Sequence, residues 1–337
     1  MSLLLEHLCR IINSLRLVFG SPEELTYYPE SERKSRLRIY LEQTAWMLRH
    51  QEISHFYYFY GCDRLNGPSP FHYGSKKKFI RYRDAVNARA QIGTHRINYN
   101  CLLQDKFLFG QYVGSLGFPT PRVLGLAGSG GVCLLNPIRQ LSWEDFLQTQ
   151  EGTFFVKDVL GERAQGVFQI TVQSGTLFLG QEAVLLETLK PRLSPLNILQ
   201  ESVCQHPLMS EINPASVNTL RLVTVRSGKE TIPLAAMVRL GAGKSFCDNL
   251  AEGGLAVGVD LADGRMMKWG FFKPGFGKKT ERHPQTGFIF EKTRIPFFKE
   301  AVDAACRLHR FFYGTHSIGW DIAITEGGPT FLEGNNS

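Results

Sequence analysis

The chain has 337 residues, a mass of 38 kDa and a formal net charge of +7. Its content of 43% hydrophobic and 20% charged residues is typical of a globular protein, and it excludes a disordered chain. A chain of this length can bury a large core, and we expect two or three domains or lobes. No apolar run reaches the roughly 18 residues that a membrane span needs.

The cysteines indicate a reducing compartment. Seven are scattered along the chain, and no two form a CxxC pair. An odd number without paired spacing argues against a disulfide framework and against a zinc site. We therefore expect a cytoplasmic protein.

Apolar residues recur at helical spacing near the N-terminus, at Leu4, Leu8, Ile11, Leu15 and Phe19. Charged residues interrupt this pattern too often for the core of a signal peptide. We expect an amphipathic helix that packs on its own domain rather than on a membrane surface.

Positive charge is concentrated early, in "ERKSRLR" (32–38) and "SKKKFIRYR" (75–83). A solvated basic face is the first interpretation, and a basic groove for an anionic substrate such as an acidic glycan is the second. Nucleic acid is a weaker alternative: Phe79 and Tyr82 lie between the basic residues, but no recognised nucleic-acid motif accompanies them.

Residues 1–98 show helical patterning and many aromatics, and the pattern then changes. A helix over about 102–115 ends at a glycine, and Pro119 and Pro121 lead into a strand. "GVCLLN", "TFFVKDV" and "NILQESV" are predicted strands, and "SWEDFLQTQ" is a predicted helix that Ser142 caps. "GVFQITVQSGTLFLG" predicts a hairpin turning at Ser174–Gly175, and "QEAVLLETLK" predicts a helix.

The later elements begin with two long strands, "NTLRLVTVR" and "IPLAAMVRLG", around "SGKE". A hairpin turning at residues 262–264, a helix over 297–312 and a terminal hairpin follow. This order predicts an α+β fold with two lobes, each an antiparallel sheet with helices on one side.

The terminal hairpin, "IGWDIAITEGGPTFLEGNNS", carries an acid in each arm. If its turn centres on Gly327, Asp321 lies opposite Glu333, and Asn335 shares a face with Glu333. Opposed like charges repel, so something positive should lie between them. Two carboxylates and an amide oxygen form an oxygen-only site that suits Mg²⁺. A pair of exposed acids beside a turn is the alternative.

A second group of residues is suited to phosphates. Lys157 emerges from an apolar strand, and the loop that follows is bounded by Gly161 and Gly166. Glycines let a backbone fold closely over phosphates, and a lysine supplies a mobile charge. The spacing excludes the GxxxxGK[ST] phosphate loop. An ordinary turn with a surface lysine remains the alternative.

A third group lies where the two lobes would join. In "NILQESV", Gln200, Glu201 and Val203 stand where a flat base could hydrogen-bond to exposed backbone.

Two arginines, Arg221 and Arg239, interrupt apolar strands, where a charge is costly unless it is paired or functional. We expect them nearly side by side, as a clamp for phosphate or carboxylate, with a structural salt bridge as the alternative. A polar loop next to them carries Asn218, Asp248, Asn249, Gly253 and Gly254.

Together these stretches resemble the ATP-grasp superfamily, and most closely its sugar-transfer-associated family, found near polysaccharide biosynthesis functions. The resemblance covers residues from about 100 to 336, roughly two thirds of the chain. It runs through "LLQDKFLF", "FVKDVLGERAQGV", "LQESV", "NTLRLVTV", "MVRLG", "DNLAEGG" and "GWDIAITEGGPTFLEGN".

The resemblance implies roles for these residues. Lys106 and Lys157 would contact ATP phosphates under a lid formed by residues 161–166, and residues 200–203 would bind adenine. Asp321, Glu333 and Asn335 would hold one or two Mg²⁺ ions. Arg221 and Arg239 would stabilise the transferring phosphoryl group and the acyl phosphate. The substrate would be bound by Asn218, Asp248, Asn249, Gly253 and Gly254.

The implied function is an ADP-forming carboxylate–amine (or carboxylate–thiol) ligase that acts through an acyl phosphate. We expect it to join an amino acid to a sugar acid in polysaccharide or natural-product biosynthesis. The alternatives are an ATP-grasp kinase and a non-catalytic nucleotide-binding module. The implied partners are small molecules, with an anionic glycan as a further candidate, rather than nucleic acid or a membrane.

The implied organisation is a helix-rich basic region over 1–98, an N-lobe with the glycine-rich lid over 99–200 and a C-lobe with the metal site over 201–337. Many ATP-grasp chains continue beyond the metal-binding asparagine, whereas this sequence stops two residues after Asn335. We expect either a truncated sequence or a fold that closes unusually early, with consequences for how well the metal site is shielded.

Overall fold

The computed structural model describes residues 19–87, 91–92, 95–96, 99–161, 166–242, 253–274 and 276–336. The predicted helix before Phe19 therefore lies outside the described residues. The chain divides into two compact units. One holds the described residues up to Ala85 together with Phe272–Lys279, and the other holds those from Val86 to Phe271 and from Thr280 onwards.

The first unit is helical and rich in aromatic residues. Its α-helices are α1 (Pro22–Leu25), α2 (Arg36–His50) and α3 (Lys76–Asn87, which extends past Ala85). Ser35 caps α2 by accepting a hydrogen bond from the Arg38 backbone, and α2 ends where Gln51 adopts a left-handed conformation. Tyr57 and Tyr58 are buried in the core of this unit.

The second unit begins with a short hairpin, β1 (Gln91–Ile92) and β2 (His95–Arg96), and two helices, α4 (Asn100–Gln104) and α5 (Lys106–Ser115). An eight-stranded antiparallel sheet follows, in the order β5-β4-β3-β10-β6-β7-β8-β9. Its strands are β3 (Val123–Gly128), β4 (Gly131–Leu135), β5 (Ile138–Leu141), β6 (Gly152–Asp158), β7 (Val167–Gln173), β8 (Thr176–Leu179), β9 (Glu182–Val184) and β10 (Asn197–Glu201). The sheet carries α6 (Trp143–Thr149) and α7 (Leu186–Leu189).

Strand β6 shows how this sheet separates core from site. Phe154 and Val156 belong to the buried cluster that includes Trp143 and Phe146 of α6. Because successive side chains alternate across a strand, Phe155 and Lys157 share the opposite face. The apolar residues of "TFFVKDV" therefore hold a lysine on the face away from this core.

A seven-stranded antiparallel sheet forms the second lobe, in the order β15-β14-β13-β12-β11-β16-β17. Its strands are β11 (Thr219–Ser227), β12 (Glu230–Leu240), β13 (Leu255–Val259), β14 (Met266–Phe272), β15 (Lys279–Thr280), β16 (Ser317–Thr325) and β17 (Gly328–Asn335). Two helices accompany it, α8 (Pro207–Ile212) and α9 (Phe298–His309). Helix α9 buries Ala301, Ala305 and Leu308.

The α+β class with two antiparallel sheets confirms the prediction from the sequence. Local signals were reliable: the Ser142 side chain caps α6, and β7 and β8 are joined by a turn at Ser174–Gly175, both with positive φ. The strands of the first sheet end at Glu201 and those of the second begin at Thr219. The three-part division of the chain remains a prediction.

Two predicted helices were wrong in detail. "QEAVLLETLK" forms strand β9, paired with β8, and then only the four-residue helix α7. A turn at Gly180, where φ is +65°, folds the chain back, so pairing with β8 overrides the helical pattern. The helix expected over 102–115 is broken at Asp105, which caps α5 by accepting a hydrogen bond from the Leu108 backbone at 2.8 Å.

Within the residues that the structure describes, no helix is long and apolar enough to cross a membrane.

Candidate active site

The terminal hairpin brings its two acids together. Strands β16 and β17 are joined by a two-residue turn, and Asp321 lies directly opposite Glu333. The tight turn alone would pair Asp321 with Leu332, but a β-bulge between the Asp321 and Ile322 pairs shifts the register by one residue. The predicted pairing is therefore confirmed, although its cause is a bulge and not a turn centred on Gly327.

Two arginines place positive charge at one of the acids, Asp321. Asp321 is only 1% exposed, and Arg221 holds it with two bonds, Nε to Oδ1 at 2.5 Å and Nη2 to Oδ2 at 2.9 Å. Arg239 contacts the same carboxylate, with 3.0 Å between Nη2 and Oδ2. The two guanidinium groups therefore hold this buried carboxylate in place and in its ionised form.

The two arginines are diagonal neighbours. Arg221 lies opposite Met237, and Arg239 lies opposite Thr219. We expected the two arginines nearly side by side, and they are instead offset by two residues along the strands. The hairpin turns earlier in the sequence than predicted, so Arg239 pairs with Thr219 and not with Arg221. They share a face and meet at Asp321, which lies opposite Arg221 on β16.

Thr219 is a site residue that the sequence reading missed. Its Oγ1 accepts hydrogen bonds from both Nε and Nη2 of Arg239, each at 3.1 Å. Thr219 is 3% exposed. Its position two residues before Arg221 on the same strand, and so on the same face, is the signal that could have identified it.

The acids differ in their titration. Burial by itself would raise the pKa of Asp321, but the charges of Arg239 and Arg221 lower it below its usual value. Burial, followed by the negative charge of Asp321, raises the pKa of Glu333 to about 7. Near neutral pH Asp321 is therefore ionised, whereas Glu333 readily takes up a proton.

Asn335 completes the cluster. Its Nδ2 donates to Asp321 Oδ2 and to Glu333 Oε1, both at 3.2 Å. Among the described residues, no three His, Cys, Asp or Glu side chains gather as a metal site. Two carboxylates and one amide nevertheless fit Mg²⁺, which takes few protein ligands and keeps several waters.

Gly334 lets the strand that carries these groups lie close to α4 and α5. A Cβ at this position would meet Leu103 Cδ2 at 2.7 Å and Phe109 Cε2 at 3.1 Å. Because side chains alternate, this close approach is on the opposite face of β17 from Glu333 and Asn335. Backbone packing thus sets the position of the acid–amide cluster.

Lys157 and Gln200 meet on the other sheet. Lys157 Nζ donates to Gln200 Oε1 at 2.8 Å, and Gln200 Nε2 donates to the Pro121 carbonyl at 3.2 Å. Gln200 is 3% exposed, so it holds the lysine from a fixed position. The structure thus brings together the residue predicted for phosphate and one predicted for adenine.

The other two residues of the predicted hinge are placed differently. Glu201 donates its backbone N–H to the Arg122 carbonyl at 3.0 Å, and its carboxylate forms an exposed ion pair with the Arg122 side chain at 2.9 Å. Val203 is partly buried in the irregular segment 202–206.

Lys106 reaches the predicted lid. It is the first residue of α5, and its Nζ donates to the Gly161 carbonyl. Its backbone N–H donates to the Val159 carbonyl at 3.1 Å, and the Asp158 N–H donates to the Gly166 carbonyl at 3.3 Å, which closes the base of the loop. Residues 162–165 lie outside the described part of the chain.

The residues predicted to bind substrate are only partly described. Asn218 is fully buried, and its Nδ2 donates to the carbonyls of Met209 at 2.7 Å and Asn213 at 2.9 Å. These bonds tie α8 to the start of β11. Gly253 and Gly254 directly precede β13, whereas the predicted residues Asp248 and Asn249 lie outside the described residues.

Residues 94–337 match the family described as sugar-transfer associated ATP-grasp, and the chain belongs to this family. The resemblance expected from the sequence is therefore confirmed. A search of curated proteins finds no match.

Solved structures that the chain matches include two synthetases and a ligase. D-alanyl-alanine synthetase A from Vibrio cholerae O1 biovar eltor str. N16961 is 10% identical, with a TM-score of 0.40, covering 70% of this chain and 56% of its own. L-amino acid ligase from Bacillus licheniformis is 10% identical, with a TM-score of 0.39, covering 72% and 43%. N5-carboxyaminoimidazole ribonucleotide synthetase from Thermotoga maritima is 12% identical, with a TM-score of 0.39, covering 71% and 43%.

The chain thus spans only about half the length of these proteins. Because their TM-scores are 0.40 or lower, these structures add nothing to the family assignment.

Proposed function

We propose that the protein is an ATP- and Mg²⁺-dependent carboxylate–amine ligase. A substrate carboxylate takes the terminal phosphoryl group of ATP, which yields an acyl phosphate and ADP. An amine then displaces inorganic phosphate, loses a proton and forms the amide. The observation that carries the proposal is the Asp321–Glu333–Asn335 cluster, in which the buried Asp321 contacts two arginines.

The acid–amide cluster supplies the metal site in this proposal. Asp321 and Glu333 would provide carboxylate oxygens, and a half-turn of the Asn335 amide would present its Oδ1 in place of Nδ2. The metal ion, when bound, would neutralise phosphate charge. The two arginines keep Asp321 anionic, so the site is ready for a cation without first losing a proton there.

Arg221 and Arg239 would serve as fixed positive charges near the transferring phosphoryl group. Each is anchored on a β-strand and held by a buried partner, so little reorganisation is needed when charge develops. Lys157, held by Gln200, and Lys106, held by the Gly161 carbonyl, would contact phosphates from the first lobe. These lysines would move from protein acceptors to phosphate oxygens when nucleotide binds.

The family description points to a substrate linked to sugar transfer. We propose that the carboxylate and amine come from an amino acid and a sugar acid or similar compound, in polysaccharide or natural-product biosynthesis in the cytoplasm. Gly253 and Gly254, before β13, would contact this substrate together with Asp248 and Asn249, whereas the fully buried Asn218 would position α8 against β11.

The test is to incubate the protein with ATP, Mg²⁺ and a panel of amino acids and uronic acids, with hydroxylamine as a substitute nucleophile. A ligase releases ADP and inorganic phosphate only when a carboxylate and a nucleophile are both present, and hydroxylamine traps the acyl phosphate as a hydroxamate. Mass spectrometry of the hydroxamate then identifies the carboxylate.

Other products would overturn the proposal. A stable phosphorylated product without free phosphate would identify a kinase. AMP and pyrophosphate would exclude the acyl phosphate. Binding of ATP without turnover across the panel would favour a nucleotide-binding module.

A further inference from the structure

Helix α2 has apolar residues on two opposite faces. One face is buried and includes Ile39 and Trp46. The other face is open to solvent and carries five large apolar side chains. They are Leu37 (69% exposed), Tyr40 (41%), Leu41 (57%), Met47 (41%) and Leu48 (75%). A helix that only had to pack on its own domain would present polar residues here.

The five side chains form one stripe, which we call the open α2 face. At 100° per residue, Leu37, Leu41 and Leu48 fall within about 40° of one another, and Tyr40 and Met47 flank them on one side. Phe19, itself 67% exposed, extends the face, because its ring lies 5.8 Å from that of Tyr40.

Exposed cations are abundant on α2 and on helix α3. Helices α2 and α3 together contain eight Lys and Arg residues but only two Asp and Glu, a net of +6 in a chain whose total is +7. Seven of the eight cations are exposed: Arg36, Arg38, Arg49, Lys76, Lys77, Lys78 and Arg81. One of the two acids, Glu42, is already bound by Lys34, Arg38 and Tyr57.

Helix α3 begins beside the end of α2. Lys78 Nζ donates to the Arg49 carbonyl at 3.3 Å. On α3, Phe79 and Tyr82 lie three residues apart and are 57% and 63% exposed. Aromatic side chains between cations, on a helix that contacts the end of the leucine-bearing α2, are typical of a helix pair that meets a lipid interface.

We propose that the open α2 face and the cations of α2 and α3 dock the protein on the surface of a membrane that contains anionic lipid. This surface role is additional to the proposed ligase chemistry and does not depend on it. The membrane contact that the sequence disfavoured is here assigned to α2 and α3, which lie within the described residues.

Charge and exposure together select this partner. An acidic glycan or a nucleic acid would neutralise the cations but leave the leucines in water. A second copy of the chain would cover the leucines but place two strongly positive surfaces against each other. An anionic bilayer offers hydrocarbon for the leucines and negative headgroups for the cations.

The first test measures sedimentation of the full chain with vesicles of phosphatidylcholine, with or without phosphatidylglycerol. We expect binding to the anionic vesicles, little to the neutral ones, and a loss on the order of 10-fold or more at high salt, because headgroup attraction is screened. Equal binding to both vesicle types, or no binding to either, would overturn the proposal.

The second test compares two leucines of equal exposure. Leu48→Glu should weaken binding to the anionic vesicles by about 10-fold or more. The variant places a charge where the wild-type leucine would bury apolar area in the bilayer. Leu185→Glu is the matched control, since Leu185 is also 75% exposed but lies in the other unit. Both variants should keep the wild-type circular dichroism spectrum, because both positions are open to solvent.

Charge reversal measures the contribution of the cations separately from that of the leucines. Lys77→Glu combined with Lys78→Glu should reduce binding to anionic vesicles, whereas Lys229→Glu, in the exposed turn before β12, should not. Light scattering at the same concentrations should show a monomer. A dimer that Leu48→Glu dissociates, or equal loss in the paired controls, would contradict the membrane assignment.

Discussion

Two aspartates in the second lobe each contact two arginines, but in different surroundings. Asp321 contacts Arg221 and Arg239 at 2.5 and 3.0 Å, and Asp263 contacts Arg265 and Arg294 at 3.0 and 3.2 Å. The side chain of Asp321 is 1% exposed, whereas that of Asp263 is 30% exposed on a hairpin turn.

The difference teaches what burial adds to an ion pair. At Asp263, a backbone hydrogen bond from Arg265 is the first cause that lowers the pKa, and the arginines add to it in contact with solvent. At Asp321, burial opposes the charged form, and the charges of the two arginines, with a side-chain hydrogen bond from Glu333, offset it. A second acid, the partly exposed Glu333, lies opposite Asp321, so a bound cation would relieve the repulsion between the two carboxylates.

Asp321→Asn should have the largest effect. It removes a proposed metal ligand and leaves two guanidinium groups without their shared anion. We expect turnover to fall on the order of 10³-fold and the free energy of unfolding to fall by about 3 kcal/mol. Steady-state kinetics and urea denaturation measure the two effects.

Asp263→Asn is the matched control for this variant. It also removes a carboxylate that contacts two arginines, but in an exposed turn. Activity and melting temperature should stay at wild-type values. If both variants lost activity equally, the buried cluster would have no special role.

Glu333→Gln should change how stability depends on pH in the absence of Mg²⁺ and nucleotide. The pKa of Glu333 is raised from 4.5 to about 7 in the folded protein. The folded state therefore binds this proton more tightly than the unfolded state, so the associated stability is complete below pH 4.5 and lost as pH rises through 7.

Glutamine resembles the protonated acid and does not titrate. The variant should match wild type at low pH and exceed it at pH above 7, by on the order of 2 kcal/mol. Thermal melting at both pH values, with the metal chelated, measures the difference. A variant that was less stable than wild type in alkaline buffer would show that Glu333 is charged and well compensated in the folded protein.

Thr219→Val should have the smallest effect. It keeps the shape of the side chain but removes the oxygen that accepts two hydrogen bonds from Arg239. We expect a loss of about 1 kcal/mol, or roughly fivefold in kcat, with KM for ATP unchanged. Thr176→Val, on an exposed strand position, is the control. An unchanged kcat would mean that Asp321 alone positions Arg239.

Local chemistry determined part of the fold. Ser142 is followed by a helical pattern, and a serine cap forms there because its side chain satisfies a backbone N–H at the helix start. Ser174–Gly175 forms a tight turn in which both residues have positive φ, a conformation that glycine adopts without strain. Such predictions need only a few neighbouring residues.

Other features depended on distant partners. The segment "QEAVLLETLK" has a helical pattern, yet β8 recruits Glu182–Val184 as an edge strand. The two arginines converge on Asp321, which is 100 residues from Arg221 in sequence. Their diagonal placement follows from where the β11–β12 hairpin turns, and the sequence signals for that turn leave the register uncertain by a residue.

The sequence by itself determined that two acids and an amide stand in the last hairpin, and its motif order indicated an ATP-grasp protein, because residue types and their spacing are visible without coordinates. Only the tertiary structure decided that the acids face each other. The two-residue turn would have placed Leu332 opposite Asp321, and the bulge restores Glu333. A one-residue shift moves every side chain to the other face of a sheet, so packing of the whole lobe selects the register that brings this cluster together.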